Sequence, residues 1–443
     1  MYRIALILVL SVSCAYAQQA PRVILLDEAV KIALDRNLIV IQQQNNFEGQ
    51  QSGVTAAYGG LMPSVGASGQ WGRSEKRTSY QIYNGVVIPI ASASTDNSFS
   101  AGAQANLTLF NGFSNSANIN RAISSASSAE QTLYRTKQTA IFEAQYLYLD
   151  VLRKNALLKV SDDNLKRSQR QLEQITEMNK LGVRPVADVY RQQYQVGNDE
   201  LLTIQAKNNF EKAKADLVLY LGLSISDEYD FSDPSVATDI DTTEFVPLNV
   251  QYKDFHALSE QALTLRPDYK SAIENFNGAS SSITMARSGF FPNVNAYASY
   301  GLNAAELSKI SDNKVLSWGL SVQLSLFDGF QTSNQVQLAE VASRNAEVQL
   351  LQAERSVRVD IKKALLDLDA AMKAVEVSQK SVISADEDRK IQEEKYRLGA
   401  STLLDLLTAN ANYTTALSNK INAVYNYMTA KKNVDLAVGT IPY

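Results

Sequence analysis

Residues 331–405 read QTSNQVQLAEVASRNAEVQLLQAERSVRVDIKKALLDLDAAMKAVEVSQKSVISADEDRKIQEEKYRLGASTLLD, and their first 68, Gln331–Leu398, contain neither glycine nor proline. Gly and Pro are the strongest breaks in a helical pattern, so their absence over this length predicts one uninterrupted helix. At 1.5 Å per residue such a helix runs roughly 100 Å, several times the width of a small domain. The next residue, Gly399, fits the left-handed cap of a helix end. Ser401 and Thr402 can cap a return helix.

The chain makes this rod twice. At an offset of 217 residues, Leu107-Thr-Leu-Phe-Asn-Gly-Phe113 falls on Leu324-Ser-Leu-Phe-Asp-Gly-Phe330. Leu181-Gly182 falls on Leu398-Gly399, Asp188 on Asp405 and Gly222 on Gly439, with no insertion. Ser114–Leu181 is likewise free of Gly and Pro. Internal repeats decide architecture; here a unit of about two hundred residues is duplicated once. The first repeat, 18–223, carries strands at about 64–73 and 98–109, a long helix at 114–181 and a return helix at 186–221, with Pro185 suited to its first turn. The second, 255–443, carries strands at about 293–302 and 317–327, a long helix at 331–398 and a return helix at 403–438. Each repeat opens with a further helix, about Leu26–Ala57 and Phe255–Arg287. Residues 224–254, with Asp227, Glu228, Asp230, Asp233, Asp239, Asp241, Glu244, Pro234 and Pro247, read as an irregular acidic linker across the outside of the helices.

The strands alternate strictly. Phe99, Ala101, Ala103, Ala105 and Leu107 are interleaved with Ser100, Gly102, Gln104 and Asn106; Val294–Leu302 and Trp318–Leu326 behave alike, and none of the three runs carries a charge. A face of Ser, Gln, Asn and Gly suits a wet barrel lumen, and roughly ten residues cross a bilayer as a tilted strand. Four strands cannot close a barrel, and an open edge in lipid leaves backbone groups unpaired at several kcal/mol each. The strands are therefore expected to pair with copies from other chains. The tip loops, Ser74–Asn97 and about Asn303–Lys314, would face outside the cell. The fold class is mainly α with a membrane β-barrel portion.

Met1–Ala17 has the layout of a signal peptide: Arg3, the apolar run Ile4–Leu10, and Ala15-Tyr16-Ala17 before Gln18. Cys14 raises a lipoprotein alternative, against which stand Ser11 and the good Ala-x-Ala site. Cleavage there leaves no cysteine, and takes the formal net charge from −4 to −5 by removing Arg3. Export without disulfides places all stability on packing and pairing. No basic cluster points to nucleic acid. The single histidine, His256, reads as a structural or surface residue, and no nucleophile elbow, phosphate loop or metal motif is present. Neither an enzyme, a cofactor nor a bound metal is expected.

With the duplication, the Leu-Phe-(Asn/Asp)-Gly-Phe phrase before each rod and the turn Tyr396-x-x-Gly399-x-x-x-x-x-Asp405, the chain resembles the TolC family of outer-membrane efflux proteins along essentially its whole mature length. The resemblance implies a homotrimer, a twelve-stranded barrel in outer-membrane lipid on a twelve-helix periplasmic tunnel. It implies an exit duct for an inner-membrane transporter reached through a periplasmic adaptor (membrane fusion) protein, in efflux or type I secretion. It also implies a constriction beside the helix turns. Asp188 and Asp405 match positions that join it, and Tyr396 matches a latch tyrosine. The basic latch partner expected near Ser401 and a second acid expected near Thr408 are missing; Arg184, on the other hairpin, is the candidate substitute. Either acid could equally serve only as a first-turn residue favoured by the helix dipole. An envelope coiled-coil or adhesive protein would explain the rods without the strands, and a specific porin the strands without the rods.

Overall fold

The computed structural model describes residues 22–76, 80–89, 94–234, 236, 245, 247, 252 and 254–442. The expected signal peptide with Cys14 lies outside the described residues, as do Asp239, Asp241 and Glu244 of the linker. In order the elements are β1 (Arg22–Ile24), α1 (Leu26–Arg36), α2 (Leu38–Gly59), β2 (Ser64–Lys76), β3 (Tyr80–Tyr83), β4 (Val86–Pro89), β5 (Ser94–Asn111), α3 (Ser114–Lys180), α4 (Val186–Tyr220) and β6 (Tyr229–Phe231). There follow α5 (Phe255–Leu265), α6 (Pro267–Arg287), β7 (Asn293–Ala304), β8 (Lys314–Gln323), α7 (Gln331–Arg397) and α8 (Leu403–Val438). The two rods are unbroken helices of 67 residues each. Among the described residues no helix is long and apolar enough to cross a membrane.

Two compact units draw on both repeats: one comprises residues up to Ile41, Lys137–Leu258 and Ile361–Tyr443, the other Gln42–Thr136 and Ser259–Asp360. The second holds an antiparallel sheet in the order β2-β5-β7-β8. Register puts every alternating apolar set on one face. Val65, Ala105, Ala298 and Trp318 form one row across the sheet, and Ala67, Ala103, Tyr300 and Leu316 another. Between them runs the polar row Gly66, Gln104, Ser299 and Ser317. β2 and β8 are its margins, each with one unpaired side in a single chain.

β8 departs from the expected 317–327: it begins at Lys314 and stops at Gln323, opposite Asn293. Pro292 precedes Asn293 and β7 extends no further, so Leu324–Phe327 have no inner neighbour to pair with. The first tip loop contains the hairpin β3–β4, turned by Asn84 (φ 51) and Gly85 (φ 82), the left-handed pair that a two-residue hairpin turn requires.

Each strand-to-rod corner uses the repeated phrase. Gly112 and Phe113 are both left-handed (φ 63 and 68), as are Gly329 and Phe330 (φ 66 and 66). A phenylalanine there is costly. It is held by edge-to-face packing on the first phenylalanine of the phrase, at 5.3 Å for Phe110–Phe113 and 5.6 Å for Phe327–Phe330. The residue between caps the rod: Asn111 Oδ1 accepts from the Asn115 N–H at 3.2 Å, and Asp328 Oδ2 from the Thr332 N–H at 2.7 Å. At Gly112 a Cβ would sit 2.7 Å from the Ser288 carbonyl oxygen, so close approach as well as φ demands glycine.

The opening helix of each repeat is broken where one continuous helix is expected. Asn37 separates α1 from α2, its Oδ1 accepting from the Ile39 N–H at 2.9 Å. Arg266 separates α5 from α6, because Pro267 at the first helical position drives the residue before it out of the α region. Arg266 is buried and ion-paired to Asp268 (2.5 Å) and Asp360 (3.1 Å), with Arg135 3.7 Å from Asp268.

In the other unit the acidic segment contains a strand where an irregular linker is expected: β6 pairs in parallel with β1, burying Tyr229 and Phe231. They join a core with Ile24, Ala33, Tyr148 and Leu217, where Tyr148 donates to the Ile24 carbonyl at 2.8 Å. Asp233 Oδ2 accepts from the Leu26 N–H at 3.1 Å, completing the start of α1.

Candidate functional site

The helix turns that close the α3–α4 and α7–α8 hairpins lie within the first unit. Both are built alike. After α3, Gly182 (φ 75) donates to the Asn179 carbonyl at 2.8 Å and Val183 to the Met178 carbonyl at 2.9 Å. After α7, Gly399 (φ 78) donates to the Tyr396 carbonyl at 3.1 Å and Ala400 to the Lys395 carbonyl at 2.8 Å. This is the Schellman pattern, which satisfies the last carbonyls of each rod and reverses the chain.

The return helices start differently. Pro185 stands at the N-cap of α4, one place before the helix, and has no side-chain cap to offer. Thr402 caps α8: its Oγ1 accepts from the Asp405 N–H at 3.2 Å, while Asp405 Oδ2 accepts from the Thr402 N–H at 3.0 Å and hydroxyl at 2.6 Å. The Thr402 hydroxyl and then its backbone N–H hold the Asp405 carboxyl below its ordinary value, so it is ionised at neutral pH. Ser401 instead donates to the Gln392 carbonyl at 3.4 Å.

A small core joins the hairpins: Ile175 of α3, Tyr396 of α7, and Leu403 and Leu406 of α8, with Val189 and Leu407 packed on it. Three of the residues singled out from sequence meet here. The Arg184 guanidinium stacks on the Tyr396 ring at 4.1 Å and donates to the Tyr396 carbonyl. The Tyr396 hydroxyl donates to Asp188 Oδ2 at 3.4 Å, a long bond to a buried aspartate whose Oδ1 lies 4.0 Å from Arg191. Burial, and after it the contacts with Asp188, raise the Tyr396 phenol against the opposing pull of Arg184. Among the described residues the buried Arg184 Nε has no hydrogen-bond partner, so the guanidinium is only partly satisfied.

Asp405 and Thr408 are not in this cluster. Both are exposed on α8, where Thr408 donates back to the Leu404 carbonyl at 2.9 Å. One contributor is absent from the sequence reading: Gln192, fully buried one turn beyond Asp188, donates to the Ser168 carbonyl at 2.9 Å and hydroxyl at 3.0 Å, fastening α4 to α3. Its i+4 spacing from Asp188 was the available signal. His256 is exposed. Among the described residues no group of three or more His, Cys, Asp or Glu is placed to hold a metal ion.

The family model described as "Outer membrane efflux protein" matches residues 29–223 and 258–440. The outer membrane protein TolC of Escherichia coli K12 is 24% identical over 332 residues, covering 71% of this chain and 64% of TolC; the chain thus spans less than two thirds of that relative's length. Among solved structures, a membrane protein from Pseudomonas aeruginosa superposes with a TM-score of 0.78 at 18% identity, over 94% of this chain and 90% of the other. The Campylobacter jejuni CmeC outer membrane channel superposes with a TM-score of 0.76 at 18% identity, over 94% and 85%. These likenesses establish the fold.

Proposed function

Because the chain belongs to the outer membrane efflux protein family, and so is a TolC-like protein of the outer membrane, we propose that it is the passive exit duct of a tripartite efflux or type I secretion system. Three copies close their four-stranded sheets into one twelve-stranded barrel, and their rods and return helices line a tunnel in the periplasm. A periplasmic adaptor and an inner-membrane transporter deliver the cargo. The observation that carries this reading is the sheet: two free margins, and one face bearing Val65, Leu316, Trp318, Leu320 and Val322, all more than half exposed in a single chain. Lipid covers such a face and neighbouring copies cover such edges.

The duct opens at the helix turns. Tyr396, with Arg184 on its ring and Asp188 at its hydroxyl, holds the two hairpins together. Three copies of the ionised, exposed Asp405 face a narrow lumen, favouring cations and repelling anions. Membrane fractionation and gel migration with and without heating test the assembly: a heat-modifiable outer-membrane oligomer is expected, and a soluble monomer in the periplasm would sink the reading.

A further inference from the structure

Near the helix turns, one cavity of about 490 Å³ opens between the last part of α3 and the α7–α8 hairpin, all within the first unit. Arg167 and Arg170 of α3 and Arg389 and Arg397 of α7 line it, against a single lining carboxylate, Glu393. Gln171, Gln174 and Asn410 add neutral amide donors. Two of the arginines are already paired: Arg389 with Asp386 (2.8 Å) and Glu393 (2.9 Å), Arg397 with Glu394 (2.5 Å). Arg167 is not. Among the described residues it has no carboxylate within 4.0 Å, and its best side-chain acceptor is Asn164 Oδ1 at 3.5 Å. Arg170 donates to the Lys166 carbonyl at 3.2 Å.

The Arg167 and Arg389 guanidinium groups lie over the same Tyr413 ring, 5.4 and 5.1 Å from its centre. The ring attracts each cation but neutralises neither. Burial, and next the Arg389 charge, push Arg167 below the ordinary guanidinium value. Arg389 is already balanced by Asp386 and Glu393, so the half-buried Arg167, with no carboxylate of its own beside a donor-rich cavity, is the charge that an anion would relieve, the remaining N–H groups of Arg389 adding to its grip.

We propose that this cavity binds a multivalent oxyanion of the phosphate type, held between Arg167 and Arg389, with Arg170 and Arg397 at the rim. Guanidinium groups present paired N–H donors matched to such oxygens. The site is distinct from the acidic residue Asp405 and does not depend on the duct reading. Ile175, Tyr396 and Leu406 belong both to the cavity wall and to the hairpin core, so occupancy stabilises the arrangement of the turns.

Calorimetric titration of the detergent-solubilised full chain with inorganic pyrophosphate, at low ionic strength, reads binding without any transport. Saturable uptake of one pyrophosphate per chain is expected. Arg167→Gln should weaken it about tenfold, the loss of one charge-assisted donor group. Arg121→Gln, an exposed arginine in the other unit, should leave it unchanged. If Arg167→Gln fails to fold, the exposed Arg397→Gln serves in its place, with a several-fold weakening expected. Absence of saturable binding to the folded chain, or equal binding by wild type and the cavity variant, overturns the proposal. Conductance measurements decide the duct reading separately.

Discussion

The two helix turns share a backbone and differ in what their acids do. Gly182 and Gly399 make the same left-handed cap with the same pair of backbone bonds. Asp188 and Asp405 then occupy matching positions six residues on. Asp188 is buried against a tyrosine of the other hairpin; Asp405 is exposed and bonded to its own N-cap threonine. The difference starts at one residue. Pro185 has neither an N–H nor a hydroxyl to donate to the acid and Thr402 donates both, so the second acid is held locally while the first turns toward Tyr396. A duplicated motif therefore supplies a contact between hairpins at one turn and an exposed, locally capped charge at the other.

The largest way to break this comparison is Tyr396→Ala. It removes a buried ring from the shared core, and with it the surface beneath the Arg184 guanidinium and the hydroxyl at Asp188. A loss of about 3–5 kcal/mol is expected, as for other large buried aromatics, with raised single-channel conductance if the hairpins part. Thermal unfolding and bilayer recording measure the two effects, and an unchanged conductance would count against the proposed latch role of Tyr396. Gly182→Ala and Gly399→Ala should each cost about 1–2 kcal/mol, and nearly equally, because each forces a side chain into the left-handed region. Unequal costs in thermal melts would show that the turns are not equivalent backbones. Arg184→Lys keeps the charge but loses the planar stack on Tyr396; a smaller cost, about 0.5–1 kcal/mol, is expected from the same melts.

Asp405→Ala should disturb stability least and selectivity most, weakening block of the channel by multivalent cations. The sign of its pH dependence follows from its lowered carboxyl. The ionised form and its capping bonds persist above the ordinary value of 3.8, and are lost only as pH falls through the lower folded value. Cation block that survives to pH 3.8 and fades in stronger acid fits; block that fades near pH 5 does not.

The rods, turns and strands were legible because their signals are local. Absent Gly and Pro, Gly182, Gly399 and strict alternation each act over a few residues. Two equally local signals were outweighed by helical periodicity: Pro267, which ends α5, and Asn37, which caps α2. Asn84-Gly85 likewise marks a hairpin inside a segment read as loop. What sequence could not give is contact between distant residues. β1 and β6 pair across some two hundred positions, Arg184 meets Tyr396 across a similar gap, and Arg167 and Arg389 converge on Tyr413. No periodicity encodes such meetings; they depend on how long helices pack. The end of β8 at Gln323 belongs here too, being decided by where its neighbour begins.

The central claim is that the two free sheet margins belong to each other in neighbouring chains. Within one chain β2 and β8 are separated by two strands, roughly 14 Å at the usual strand spacing, too far for a disulfide. The direct test places one cysteine at Ser68 of β2 and scans a second along β8, residues 314–323, with oxidation in outer membranes followed by denaturing electrophoresis. A covalent ladder that stops at three chains is the predicted result. A chain that stays monomeric at every position, or a ladder that runs past three, would contradict the account.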